Sequence, residues 1–241
     1  MIVLLIILFV VLGIIGLLAA LFLFDAVCSL FADRNKTYDH ESRFFRFLLT
    51  YSTAIASVLL RVRLRTSGKD KLPQGRFLLV SNHRSNFDPI FPWLVLGKYH
   101  IAFISKPENF KVPIFGRIIR RCCFMAIDRD NPREALKTVN QAAKLMKNDE
   151  VSVGVYPEGT RNHGEGLLPF HNAVFKAAKK AAVPVVIMTV KGADTIHKNY
   201  PLRSSVVELD ILDVISSDRV QEMSTAEIGE YAAGIMLENL R

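Results

Sequence analysis

Phe77-Leu78-Leu79-Val80-Ser81-Asn82-His83-Arg84-Ser85-Asn86-Phe87-Asp88-Pro89 is the stretch on which the fold turns. The apolar run Phe77–Val80 reads as a strand buried on both faces. Pro89 suits the first position of a helix, and Asp88 suits the cap before it. A histidine therefore stands in a strand-to-helix turn, with a carboxylate at its far end. A carboxylate that holds one imidazole nitrogen orients the ring and raises its basicity, so that the ring can take a proton from a hydroxyl. The plainer reading makes Asp88 a helix cap and His83 a loop residue.

The same punctuation continues along the chain. Further candidate strands are Ile101–Ser105, Cys122–Ile127, Val151–Tyr156, Val185–Val190 and Val206–Leu212. Candidate helices are Pro89–Leu96, Pro113–Arg120, Pro132–Lys147, Asn172–Ala182 and Thr225–Asn239. Ala135, Val139, Ala142, Ala143 and Met146 share one stripe of the helix over 132–147, the pattern of a helix lying on a core. Alternation of strands and helices predicts one α/β domain over residues 61–241, with a mostly buried mixed sheet flanked by helices.

In such folds the carboxyl ends of strands deliver functional residues. Here they deliver His83 and Asp88, then Lys106, then Asp128 and Arg129, then Glu158 and Arg161. The last pair lies in Tyr156-Pro157-Glu158-Gly159-Thr160-Arg161. Pro157 ends the ladder, and Gly159 lets the backbone turn. Glu158 and Arg161 are then expected on an open loop, the guanidinium free to grip a phosphate through two parallel bonds. A surface Glu–Arg pair of little energetic weight is the alternative.

The first residues set where this chemistry takes place. Met1–Phe24 carry no charge. At about 1.5 Å per residue such a helix reaches roughly 36 Å, enough for a hydrocarbon core of about 30 Å. Arg34, Lys36, Arg43 and Arg46 follow it and no basic side chain precedes it, which predicts a body on the cytoplasmic face. Phe47–Leu60 is too short to span. It is expected to lie in the interface or to pair with the first helix in one leaflet, so that residues 1–60 form the membrane anchor, or else to pack on the body. The net charge of +8, from 31 basic and 23 acidic residues, favours anionic lipid surfaces. Zinc-finger spacing and an RNA-binding aromatic signature are both lacking, which argues against nucleic acid. Cys28, Cys122 and Cys123 make no disulfide framework; the adjacent pair is expected in a strand, pointing to opposite faces. His163, His171 and His197 lack zinc spacing, and no metal site is expected.

Taken in order, four blocks resemble the glycerolipid acyltransferase family: Asn82-His83 to Asp88; Phe103-Ile104-Ser105-Lys106 to Ile127-Asp128-Arg129; Tyr156 to Arg161 with Leu168-Pro169-Phe170; and Val183-Pro184-Val185-Val186-Ile187. The resemblance covers roughly residues 61–215. It implies acyl transfer from a thioester, carried by coenzyme A or acyl carrier protein, to the sn-2 hydroxyl of 1-acyl-glycerol-3-phosphate. In that scheme His83 is the base and Asp88 its partner. Lys106, Arg129 and Arg161 meet the acceptor phosphate, and Glu158, Gly159 and Thr160 lie beside the glycerol. The acyl carrier is a co-substrate, and no other cofactor is implied. Three departures are visible: Ala126 where the family more often has Phe, Tyr156 where it has Phe, and His171-Asn172 where a basic residue and a glycine are common. Other lysolipid acceptors, such as a lysophospholipid with a head group or a lyso-ornithine lipid, stay open at this point, as does a lipid-binding protein without catalysis.

Overall fold

The computed structural model describes all residues, 1–241. In chain order the helices and strands are α1 (Ile2–Ser29), α2 (Arg43–Leu59), β1 (Val62–Ser67), β2 (Leu78–Ser81), α3 (Ile90–Val95), β3 (Ile101–Ser105), α4 (Phe115–Arg121) and β4 (Met125–Ala126). They continue with α5 (Pro132–Lys147), β5 (Ser152–Val155), α6 (Lys176–Ala181), β6 (Val185–Lys191), α7 (Ile196–Asn199), β7 (Ser205–Ile215), α8 (Ser217–Glu222) and α9 (Thr225–Leu240).

One seven-stranded sheet has the order β1-β7-β6-β2-β5-β3-β4. Strands β6, β2, β5, β3 and β4 are mutually parallel, while β7 runs antiparallel to β6 and carries β1 parallel to itself. The mixed α/β domain expected from the sequence is therefore present. Val80 sits between Val155 and Ile187, so the central strand β2 is covered on both edges. Every residue of β2 and β5 is buried, which explains their unbroken apolar runs. Over Ser205–Leu212 β7 alternates buried with exposed or half-buried positions, as a strand with one wetter face does. Because the five parallel strands point the same way, their carboxyl ends meet along one edge of the sheet.

Three elements differ from the sequence reading. β1 has only exposed or half-buried residues; it is held by backbone pairing with β7 rather than by an apolar face, so no hydrophobic period marks it. Cys122 and Cys123 are not in a strand: α4 ends at Arg121, Cys123 takes φ +60°, and pairing begins only at Met125. Both thiols are buried in the turn, and burial pushes Cys123 up to about 12 and Cys122 higher still. Asp88 is not a helix cap either, since α3 starts at Ile90 with Pro89 before it and Asp88 belongs wholly to the preceding turn.

α1 is the one helix long and apolar enough to cross a membrane, and its first two dozen residues touch almost nothing. Its last turn docks on the body. Asp25 is buried there and accepts hydrogen bonds from the Tyr51 hydroxyl and, at 2.7 Å, from Ser52 Oγ, both on α2. α2 is amphipathic in the round: Phe45, Leu48 and Leu49 join the apolar core that also fills the space around the sheet, while Phe44, Phe47, Val58 and Leu59 are exposed. Trp93 of α3 donates its Nε1–H to Thr50 Oγ1 at 3.1 Å, fixing α2 to the body beside the strand edge that carries the polar residues.

Candidate active site

β2 ends in a turn that is held by backbone mimicry. Buried Asn82 donates from Nδ2 to the Val190 carbonyl at 3.0 Å and accepts from the Val190 N–H at 2.8 Å, continuing the ladder with β6 through its side chain. His83 follows. Its Nδ1 lies 2.8 Å from Asp88 Oδ2, and the same oxygen accepts the N–H groups of Arg84 and Ser85 at 2.7 Å each. An oxygen that already accepts two backbone N–H groups serves as the acceptor for the ring as well, so Nδ1 carries the proton. Nε2 is left as the basic nitrogen. The imidazole stacks on the Tyr156 ring with centroids 4.4 Å apart.

The loop after β5 closes on this turn. Glu158, expected free on an open loop, is only 3% exposed. Its Oε1 accepts the His83 N–H at 2.8 Å and its Oε2 accepts the Leu168 N–H at 2.9 Å. Two buried backbone donors that would otherwise lack partners account for this inward turn of the carboxylate. Asn162, unremarked in the sequence, adds a third tie: its N–H donates to the His83 carbonyl at 2.7 Å, and its side chain bridges Gly164 N–H and the Gly166 carbonyl. Only its place after Arg161 could have marked it, and asparagines are common in polar loops.

A cavity of about 770 Å³ opens beside His83. Lys106, Arg129 and Arg161 line it, from the ends of β3, β4 and β5. All three are exposed, and none makes an ion pair. Partial burial lowers the Arg129 pKa from the usual arginine value, with no acid opposing it. Half of its lining is apolar, including Ile104, Ile119, Phe124, Ile127, Leu136 and Val139 from β3, the segments around β4, α4 and α5. Gly159 also lines the cavity, at φ +76°; a Cβ there would stand 2.7 Å from the His171 ring. Thr160 is exposed and does not line it. His171 does, at the position where the chain departs from the family's basic residue. Neither Cys122 nor Cys123 reaches the cavity.

The acyltransferase family model matches residues 63–191, just over half of the chain and the whole span from β1 to the end of β6. The chain belongs to the acyltransferase family. Among the relatives of this acyltransferase is the 1-acyl-sn-glycerol-3-phosphate acyltransferase of Haemophilus influenzae, 31% identical over 169 residues, which cover 70% of each chain. The Escherichia coli enzyme of the same name is 25% identical over 166 residues, 69% of this chain and 67% of that one. The crystal structure of the 1-acyl-sn-glycerophosphate acyltransferase PlsC from Thermotoga maritima superposes with a TM-score of 0.68 at 22% identity, covering 90% of this chain and 86% of that one. That last likeness is one of fold, over nearly the whole chain.

Proposed function

We propose that this chain transfers a fatty acyl group from an acyl thioester to the sn-2 hydroxyl of 1-acyl-glycerol-3-phosphate, giving phosphatidic acid. The carrying observation is the cavity at His83, which combines apolar walls with Lys106, Arg129, Arg161 and Lys176, four cations without carboxylate partners. An acyl chain suits the walls and a phosphomonoester the cations. Relatives named for this reaction support the same reading.

In the reaction His83 Nε2 takes the proton of the acceptor hydroxyl while its oxygen bonds to the acyl carbonyl carbon. Asp88 stabilises the imidazolium so formed and holds its tautomer. Collapse of the tetrahedral intermediate breaks the carbon–sulfur bond, and the leaving thiolate takes the proton back from His83. No covalent acyl-enzyme is needed, and the cysteines, outside the cavity and held protonated by burial, offer no nucleophile. Arg161, Arg129 and Lys106 hold the acceptor phosphate. Gly159 lets the acceptor approach the loop backbone, and Thr160 lies at the edge of that approach. Glu158 acts from behind, by fixing the His83 backbone.

α1 spans the bilayer with the body on the cytoplasmic face, where the basic residues after α1 lie and where acyl-coenzyme A and acyl carrier protein are found. The test is the purified full chain in detergent, given a panel of lysolipids and both donor types. Phosphatidic acid from the phosphomonoester acceptor is expected as the dominant product. Preference for an acceptor without a terminal phosphate would refute the assignment.

A further inference from the structure

A second cavity, of about 450 Å³, lies between the last turns of α1 and the segment 110–117 that leads into α4. Leu23, Ala26, Val27, Leu30 and Val112 give it an apolar half. Arg34, Lys111 and Arg117 give it a cationic half, and no Asp or Glu lines it. None of the three cations is in an ion pair. Arg117 is held in place by one bond from Nη1 to the Ala32 carbonyl, 3.2 Å, which leaves its other donors free.

The depth of this groove follows from α1. Its uncharged stretch ends at Phe24, about 35 Å from the start of the helix, which fills a hydrocarbon core of about 30 Å. Leu23 to Leu30 therefore stand where acyl chains give way to head groups, and Arg34 stands beyond. Leu23, Val27 and Leu30 are then at acyl depth, and Arg34, with Arg117 bonded to the Ala32 carbonyl, is at phosphate depth.

We propose that this groove binds one anionic phospholipid of the surrounding bilayer, its phosphate between Arg34, Lys111 and Arg117 and its upper acyl chain along Leu23, Val27 and Leu30. Three cations without a counter-charge favour a net negative head group over a zwitterion, whose own ammonium would meet them. A guanidinium pair grips phosphate oxygens through parallel bonds. A soluble phosphate would leave the apolar half wet, with Leu23 at 63%, Val27 at 48%, Leu30 at 68% and Val112 at 46% exposure. The site is separate from the reaction cavity but shares α4 with it: Arg117 faces the groove, whereas Phe115 and Ile119 line the cavity.

The experiment counts lipids retained by the full chain. Detergent-solubilised protein is equilibrated with equal amounts of phosphatidylglycerol and phosphatidylcholine and weighed intact by native mass spectrometry. One phosphatidylglycerol per chain is expected in preference to phosphatidylcholine. R34Q/K111Q, which leaves the Arg117–Ala32 bond intact, should weaken retention about fivefold for each cation removed, and adding R117Q should bring it to the phosphatidylcholine level. R133Q/K137Q, the same charge loss on the exposed start of α5, should retain the lipid. Equal retention of the two lipids by the unaltered chain, equal loss in the α5 variant, or displacement by millimolar inorganic phosphate would each overturn the proposal.

Discussion

The turn after β2 and the rim of the cavity are built on opposite principles. In the turn the groups that hold His83 are already engaged, and of the two carboxylates only Asp88 Oδ1 lacks a partner. Asp88 Oδ2 has three partners, Glu158 has one for each oxygen, and the His83 backbone is tied at both its N–H and its carbonyl. At the rim Lys106, Arg129 and Arg161 come from three different strand ends and have no acid to meet. The contrast separates what the protein must fix from what the ligand must complete. A base works only if its ring is held before substrate arrives, since positioning is where much of the rate resides. A phosphate site gains from cations kept free of internal partners, because an ion pair would have to be broken on binding.

The contrast predicts different kinetic signatures, and the largest belongs to the turn. His83→Ala should lower kcat by about 10²–10⁴-fold with little change in the Michaelis constants, membrane association or melting midpoint. Asp88→Ala should follow it, and the double variant should be little worse than His83→Ala because the two act as a unit. Near-normal turnover of the His83→Ala protein would break the assignment of the base. At the rim the effect moves to binding. Arg161→Ala removes charge-assisted bonds of about 1.5–3 kcal/mol, so the acceptor's Michaelis constant should rise about 10- to 100-fold while that of the donor barely moves. Arg161→Lys should rescue in part, since an ammonium makes no bidentate contact. A rise confined to the donor would move Arg161 to the carrier's phosphates.

How far the sequence alone carries depends on the same contrast. The central strands were legible because burial on both faces leaves continuous apolar runs, and α5 was legible to the residue because Pro132 and its apolar stripe agree. β1 was not, since it is a polar strand defined by its partner β7. The histidine–carboxylate pair was legible as a motif, and its residues do meet. The environment of Glu158 was not. A carboxylate between Pro157 and Gly159 reads as solvent-facing, and only the meeting of two loops, 75 positions apart in the chain at His83 and Glu158, turns it inward. Asn82 and Asn162 escaped for the same reason: their work is bonding to backbone, which leaves no trace in side-chain pattern.

Glu158 also supplies the sharpest test between a clamp and a substrate contact. In Glu158→Gln one amide oxygen can still accept one N–H, but the amide NH₂ faces the other donor, so a buried N–H of His83 or Leu168 loses its partner. The cost is about 1–3 kcal/mol of stability. The melting midpoint should fall, and kcat should fall about tenfold as the His83 backbone loosens, with the acceptor's Michaelis constant nearly unchanged. A carboxylate that bound the glycerol would give the reverse: an unchanged midpoint and a raised acceptor constant.

The smallest effect concerns a group packed against the turn that is not engaged. The Tyr156 hydroxyl is buried with no hydrogen-bond partner, under the ring of His83. Burial first, and then the nearby charge of Asp88, push this phenol well above the usual tyrosine range. Removing an unpaired buried hydroxyl recovers its desolvation cost, so Tyr156→Phe should stabilise the fold by about 1 kcal/mol at neutral pH. The pH dependence has a definite sign. A phenol whose pKa is higher folded than unfolded stays protonated in the folded chain while the unfolded chain ionises, so it withdraws stability as pH rises past about 10. The advantage of the Phe variant should therefore be constant below that pH and widen above it. Tyr51, pushed up to about 12 by burial and by Asp25, acts in the same direction in both proteins and cancels from the difference. Denaturant midpoints of the two proteins at pH 7, 9 and 10.5 measure the gap. A Phe variant that is less stable at pH 7 would mean that the hydroxyl has a partner in the folded chain, and the turn would then be as fully engaged at Tyr156 as it is at His83.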